Sequence, residues 1–178
     1  MDSATNTRLT AMRRLTFFLA LFVALGLLGC GGADSSPDEA AQASARVDRT
    51  VTLHPKGNLL KYEETEFTVA PGQTIKLVFE NTATSESMLH NVVVLNEGPR
   101  KELLWRVGEA GVEAGPESEY VPDDPAVLAS TPMADPGETV SVTFTVPEEP
   151  GEYGYLCTFP GHYVTMYGTM KVSENASA

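Results

Sequence analysis

The chain has 178 residues, of which 42% are hydrophobic and 20% charged; this suits one folded domain and argues against a disordered chain or a coiled coil. Its formal net charge of −12 argues against nucleic-acid binding, because phosphate contacts need clustered lysine and arginine side chains. Two cysteines and three histidines are too few for a disulfide scaffold or a multi-cysteine zinc fold, so any metal site must use few nitrogen and sulfur ligands.

The first segment of the chain, residues 1–29, is predicted to be a lipoprotein signal peptide. Arg13 and Arg14 precede a run at 15–28 that is apolar except for Thr16; it is shorter than the about 20 residues of a membrane span but suits the apolar part of a secretory signal. The run leads into Leu-Leu-Gly-Cys, which resembles a bacterial lipobox, so Cys30 is expected to be acylated. The alternative is an uncleaved anchor with an unmodified cysteine.

Residues 30–46 are predicted to be the acylated cysteine and a flexible tether. This segment is rich in glycine, alanine, serine and acidic residues, and it cannot bury enough apolar surface to offset the entropy cost of ordering. The lipid and the tether together predict an extracytoplasmic protein, on the periplasmic side, that is anchored to the membrane.

The remaining segment, residues 47–175, is predicted to be one all-β domain. Alternating apolar and polar residues, together with short apolar runs between Pro-Gly turns, favour an antiparallel sandwich or barrel. The helical spacing of Leu103, Leu104 and Val107 predicts one short helical insertion over residues 100–107. Strands are expected at 75–79, 92–95, 139–146, 153–157 and 169–172.

One loop near the end of this domain carries three side chains that bind soft transition metals. Cys157, His162 and Met166 have the spacing C-x4-H-x3-M, and His90 precedes a buried apolar run far upstream. Two imidazoles, a thiolate and a weak axial methionine form the blue-copper ligand set. Zinc also accepts cysteine and histidine but rarely methionine, so Met166 favours copper.

The chain resembles azurin-type cupredoxins in the motif Cys-Thr-Phe-Pro-Gly-His at 157–162, in the Met166 that follows it and in His-Asn at 90–91. The membrane-tethered auracyanins are a variant of this family. The resemblance covers roughly residues 47–173. It implies a cupredoxin-like Greek-key β-sandwich or barrel that holds one type 1 copper ion. The implied ligands are His90, Cys157 and His162, with Met166 as the weak axial ligand.

The resemblance also implies roles for three residues around these ligands. The Asn91 side chain is expected to tie the His90 segment to the loop by hydrogen bonding near Thr158. The backbone amides of Asn91 and Phe159 are expected to point at the sulfur of Cys157, where they stabilise the electron-rich thiolate and tune the potential.

Two features depart from azurins. Leu89 stands where azurins have a glycine whose carbonyl approaches copper, and the azurin disulfide cannot form if Cys30 is acylated and Cys157 binds copper. The third histidine, His54, has no partner residue beside it in the sequence that indicates a ligand role, so a surface position is predicted for it.

The ligand set predicts a one-electron carrier rather than an enzyme. A second, catalytic copper would need further histidines, and only His54 remains after the two predicted ligands. A binuclear oxidase centre would need two cysteines in the loop. The expected function is cycling between Cu(II) and Cu(I) in a respiratory or photosynthetic chain. The alternative is a copper storage or delivery protein without a redox role.

The electron is expected to leave through His162, because Pro160 and Gly161 place little bulk over the edge of its ring. A small apolar patch within an acidic surface suits brief docking that is steered by charge. We therefore expect a monomer whose partner is a redox protein such as a c-type cytochrome or a terminal oxidase. The residues expected in the patch are Phe159, Pro160, Tyr163 and Met88.

Overall fold

The computed structural model describes residues 46–176. The predicted signal peptide, the acylation site Cys30 and the tether up to residue 45 lie outside the described residues, and these assignments stay predictions. Within the described range, no helix is long and apolar enough to cross a membrane. The elements of this range are β1 (Arg49–Leu53), β2 (Glu66–Val69), β3 (Thr74–Glu80), β4 (Val93–Leu95), α1 (Lys101–Ala114), β5 (Val127–Ser130), β6 (Thr139–Thr145), β7 (Gly151–Leu156) and β8 (Tyr167–Val172).

The strands form two sheets, with the orders β1-β3-β6 and β2-β8-β7-β4-β5. These sheets confirm the predicted all-β sandwich. The expectation of purely antiparallel pairing is wrong at two places, because β1 runs parallel to β3 and β2 runs parallel to β8. The partners of each parallel pair are not consecutive in the chain: β2 lies between β1 and β3, and β3 to β7 lie between β2 and β8. A tight hairpin cannot connect parallel neighbours.

The strands expected from alternation or from a continuous apolar run are present, as β3, β4, β6, β7 and β8. The sequence pattern does not indicate β1, β2 or β5, each of which has five residues or fewer. All four residues of β5 are half-buried, so this strand has no contrast between an apolar and a polar face. Short strands of this kind leave little periodic signal in a sequence.

Apolar side chains fill two cores, one on each face of the five-stranded sheet. Val94 and Tyr155 belong to the core between the two sheets, whereas Val93 and Leu156 pack with residues of α1. All residues of β4 are fully buried, which confirms the prediction of a strand covered on both faces. Cys157 belongs to the core between the sheets.

The helix α1 is longer than predicted. It spans Lys101–Ala114, 14 residues, instead of the short helix expected over 100–107. Its buried stripe continues through Gly108 and Gly111, but glycines have no side chain and do not register as apolar positions in a helical pattern. The helix ends at Gly115, whose φ of +78° favours glycine.

Candidate metal centre

The four predicted ligands lie at one end of the five-stranded sheet. His90 comes shortly before β4 and exchanges two backbone hydrogen bonds with Ala134, of 3.2 Å from the His90 amide and 2.8 Å to the His90 carbonyl. Cys157 directly follows β7, and Met166 directly precedes β8. Because β7 and β8 are antiparallel neighbours, these two residues lie side by side, and the amide of Cys157 donates to the carbonyl of Met166 at 3.0 Å.

Three donor atoms converge in what we call the donor cluster: Nδ1 of His90, Nδ1 of His162 and Sγ of Cys157. The sulfur lies 3.8 Å from Nδ1 of His90 and 3.7 Å from Nδ1 of His162, and the two nitrogens are 3.1 Å apart. His90 and Cys157 are fully buried, and 6% of His162 is exposed. Met166 is also fully buried, and its amide donates to the carbonyl of His162 at 2.8 Å.

Both imidazoles of the donor cluster are neutral at pH 7. Burial, and to a smaller extent the charge of His162, lowers the pKa of His90 to about 4. Burial alone lowers the pKa of His162 to about 4. A neutral imidazole keeps a lone pair on one ring nitrogen, so both rings can act as ligands. Nε2 of His90, which carries the ring proton when Nδ1 is a ligand, is buried without a hydrogen-bond partner among the described residues.

Two opposing effects act on the pKa of the Cys157 thiol. Burial raises the pKa of the thiol to about 12, whereas hydrogen bonds from the backbone amides of Asn91 and Phe159 act to lower it. The thiol therefore keeps its proton unless a metal cation replaces it. The donor cluster contains two neutral imidazoles and a thiol, with a thioether next to it and without a carboxylate. These donors match the preferences of copper.

The Asn91 side chain holds the ligand loop, residues 157–166, to the segment that leads into β4. Its Oδ1 accepts from the amide of Thr158 at 2.9 Å, and its Nδ2 donates to Oγ1 of Thr158 at 2.9 Å and to the carbonyl of Glu119 at 3.1 Å. The hydroxyl of Tyr62 donates to the carbonyl of Asn91 at 2.7 Å. Asn91 and Thr158 are fully buried, so each lost bond of this Asn91–Thr158 clamp would leave an unsatisfied polar group.

Sequence reasoning missed Tyr62 and Glu119, two residues that support the clamp. Tyr62 is buried, with its ring centre 5.3 Å from that of Tyr155, but it lies in an irregular segment where no periodicity marks a core residue. Glu119 contributes only its main-chain carbonyl, so the type of its side chain gives no signal. Its φ of +55° is uncommon for a residue other than glycine.

His54 is partly exposed, and it pairs with two carboxylates that the sequence does not indicate. Its Nδ1 lies 2.9 Å from a carboxylate oxygen of Glu64, and its Nε2 lies 3.5 Å from one of Glu80. The hydrogen bond with Glu64 raises the pKa of His54, with smaller contributions from the charges of both carboxylates. The parallel pairing of Leu53 with Phe79 brings Glu80 to His54, whereas the bridge between Pro55 and Tyr62 brings Glu64.

Two packed sheets with a buried His-Cys-His-Met centre at one end define a cupredoxin with a type 1 copper site. The family model "copper binding proteins, plastocyanin/azurin family" matches residues 49–173, and the chain belongs to this family. Copper is therefore the metal that the site fits. Cupredoxins are electron-transfer proteins, so copper-dependent electron transfer, rather than enzyme catalysis, is the general activity of this fold and site.

Relatives from photosynthetic and other bacteria confirm the resemblance found in the sequence. Auracyanin-A of Chloroflexus aurantiacus is 34% identical over 163 residues, which cover 91% of this chain and 98% of the relative. An azurin of Achromobacter denitrificans is 38% identical over 104 residues, 57% of this chain and 67% of the relative. The structure of a dithionite-reduced auracyanin from Roseiflexus castenholzii matches with a TM-score of 0.63 and 39% identity, over 70% of this chain and 96% of that chain.

Proposed function

We propose that this protein is a lipid-anchored, extracytoplasmic carrier that moves single electrons between redox partners of a respiratory or photosynthetic chain. The observation that carries the proposal is the donor cluster, in which two imidazole nitrogens and one sulfur lie within 4.8 Å of one another in a buried site. Copper bound there supplies the one-electron chemistry between Cu(II) and Cu(I).

The scaffold holds the ligand atoms in place while the charge of the centre changes. Backbone hydrogen bonds to Ala134 fix His90, and the bond to the Met166 carbonyl fixes Cys157. The Asn91–Thr158 clamp joins the two ligand segments. Because both segments are held from several sides, little structural rearrangement accompanies electron gain or loss, which favours rapid exchange.

Copper storage or delivery without a redox role is the alternative, and the buried site does not favour it. Titration of the full-length protein with Cu(II), followed by optical spectroscopy and a redox titration, distinguishes the two functions. An intense thiolate-to-copper absorption that disappears reversibly on reduction supports the carrier. A colourless Cu(I) protein that exchanges its metal readily would contradict it.

His162 provides the route by which the electron leaves. His162 is the residue of the donor cluster that keeps some exposed surface, 6%, whereas His90 and Cys157 are fully buried. Pro160 and Gly161, which precede it, are exposed, and the half-buried ring of Phe159 lies 4.8 Å from the His162 ring, centre to centre. These residues form an apolar rim at which a partner can dock close to a ligand of the metal.

A c-type cytochrome or a terminal oxidase is the partner we propose for this surface, and the carrier acts as a monomer. The net charge of −12 steers a cationic docking face toward the protein, and a small apolar contact permits fast release. Stopped-flow measurements with a cationic c-type cytochrome should show a second-order rate constant that falls as ionic strength rises. A rate constant that does not depend on salt would contradict the steering.

Acylation of Cys30 is the proposed means of anchoring. The lipobox-like sequence before this residue supports it, and the following segment supplies a tether. Mass spectrometry of the full-length protein from membranes should give an N-terminal fragment that begins with a lipid-modified Cys30. Cys30→Ser should abolish this modification and leave the optical spectrum unchanged. An unmodified cysteine within an uncleaved N-terminal segment would contradict the proposal.

A further inference from the structure

The helix α1 lies against the ligand loop, and two glycines form its contact face. Gly108 and Gly111 are both buried, and because they are three residues apart they lie on the same side of the helix. Loop residues occupy the space that side chains at these positions would fill. Tyr163 lies against Gly108, and Thr158 lies against Gly111.

The contact at Gly108 leaves no room for a methyl group. A Cβ placed there would lie 2.6 Å from Cβ of Tyr163 and closer still to two carbons of the ring. Rotation of the tyrosine ring cannot relieve the contact with its Cβ, because that atom moves only with the main chain. Any side chain at Gly108 would therefore displace the backbone of Tyr163.

The contact at Gly111 also leaves no room for a side chain, and it involves a main-chain atom directly. A Cβ placed there would lie 2.5 Å from the carbonyl oxygen of Tyr120 and 2.9 Å from Cβ of Thr158. Tyr120 has a φ of +59° and Glu119 one of +55°, so this turn already adopts a conformation that is uncommon without glycine. The turn lies between the helix and the Asn91–Thr158 clamp, because the carbonyl of Glu119 accepts from Asn91.

Each loop residue that meets a helix glycine directly follows a predicted ligand in the chain. Thr158 follows Cys157, and Tyr163 follows His162. We propose that Gly108 and Gly111 are positioning residues, and that the close approach of the α1 backbone sets where the ligand loop places its sulfur and its imidazole. The inference rests on the proposed copper site and extends it by assigning the helix a role there.

Helix propensity and contact geometry make opposite predictions for these two positions. Alanine is favoured over glycine inside a helix, so by propensity alone Gly108→Ala and Gly111→Ala should strengthen α1. The contacts with Tyr163 and Tyr120 predict instead that the added methyl group displaces the loop. An alanine that disturbs the loop therefore indicates a positioning role, whereas an alanine that only strengthens α1 indicates a helical segment without influence on the site.

The experiment compares Gly108→Ala and Gly111→Ala with two controls in the full-length protein. We expect each variant to shift the optical and electron paramagnetic resonance spectra of the Cu(II) form and to raise the copper dissociation constant roughly tenfold. The first control, Glu109→Gln, alters an exposed position of the same helix. The second control, Gly151→Ala, alters a glycine at which an added Cβ would lie 3.8 Å from its nearest neighbour, an ordinary contact. Glu109→Gln and Gly151→Ala should keep the spectra of the unaltered protein.

A second pair of variants, Tyr163→Ala and Tyr163→Phe, tests the same contact if the glycine variants do not fold. In the metal-free protein, Tyr163→Ala should accelerate amide hydrogen exchange over residues 158–163 roughly tenfold, whereas Tyr163→Phe keeps the ring and should match the unaltered protein. Unaltered exchange in Tyr163→Ala, or unaltered spectra in both glycine variants, would overturn the inference. The metal-free measurement stays informative even if the unaltered protein proves not to be a blue-copper carrier, so failure of the proposed function and failure of this inference are distinguishable.

Discussion

The three histidines of the chain occupy two contrasting environments. His90 and His162 are buried beside a thiol, and burial lowers both pKa values to about 4. About a third of the His54 side chain is exposed, and its pKa is raised, mainly by the hydrogen bond with Glu64. The imidazole thus keeps a free lone pair for a metal where burial disfavours its charged form, and it binds a proton more tightly where carboxylates stabilise that form.

Removal of the sulfur is expected to have the largest effect on the buried environment. Cys157→Ser should abolish the intense visible absorption of the Cu(II) form, because the band requires a thiolate ligand. His54→Gln is the matched control, since it alters the exposed histidine and should leave the colour intact. A blue Cys157→Ser protein would contradict the ligand assignment.

Loss of the clamp should have the next largest effect, and two asparagines allow a buried and an exposed site to be compared. Asn91→Ala removes buried hydrogen bonds to Thr158 and should lower the free energy of unfolding of the metal-free protein by about 3 kcal/mol. Asn58→Ala removes three hydrogen bonds to Thr84 and Ser85 at an exposed site and should cost about 1 kcal/mol or less. Urea unfolding measures both; equal losses would contradict the buried clamp.

Lowering the pH should change the free energy of unfolding in opposite directions for the two environments. Between pH 6.5 and pH 4 the unfolded chain protonates His90 and His162 while the folded, metal-free protein leaves them neutral, so the free energy of unfolding falls as the pH is lowered. Each histidine contributes a slope of at most about 1.4 kcal/mol per pH unit. Nuclear magnetic resonance of the ring protons should show both residues titrating near pH 4. Titration of either ring near pH 6.5 would contradict the assigned environment.

His54→Gln is expected to have the smallest effect. The raised pKa of His54 means that its pairing with Glu64 contributes stability that is fully present below pH 6.5 and is lost as the pH rises through the folded-state pKa. The pair is partly exposed, so the variant should lose only about 0.2–1 kcal/mol at pH 6. Urea unfolding at pH 6 and pH 9 measures this loss. A loss that grows toward pH 9 would have the wrong sign.

The parts of the site that follow from local sequence could be predicted, and those that depend on long-range packing could not. The spacing of Cys157, His162 and Met166 lies within one loop, and His90 stands beside a buried strand, so both leave a pattern in the sequence. Glu80 becomes a neighbour of His54 only when β1 pairs with β3, and Glu64 only when the chain folds back at the Pro55–Tyr62 bridge. No local pattern reports such a pairing.

The helix and the clamp show the same limit in different ways. The length of α1 was underestimated because Gly108 and Gly111 continue its buried face without apolar side chains. Tyr62 and Glu119 support the clamp from segments without a periodic pattern, and Glu119 does so through its main chain. Strands with clear alternation, such as β3 and β6, were predictable because each one presents one face to the core.

The central claim is that the fold holds the metal in one geometry. X-ray absorption at the copper edge tests this claim most directly when it is recorded on both the oxidised and the reduced full-length protein. Two nitrogen ligands and one short sulfur ligand should be present in both states, with nearly unchanged distances, as expected if His90, His162 and Cys157 keep their places. A ligand set without the sulfur, or one that changes between the two states, would contradict the account.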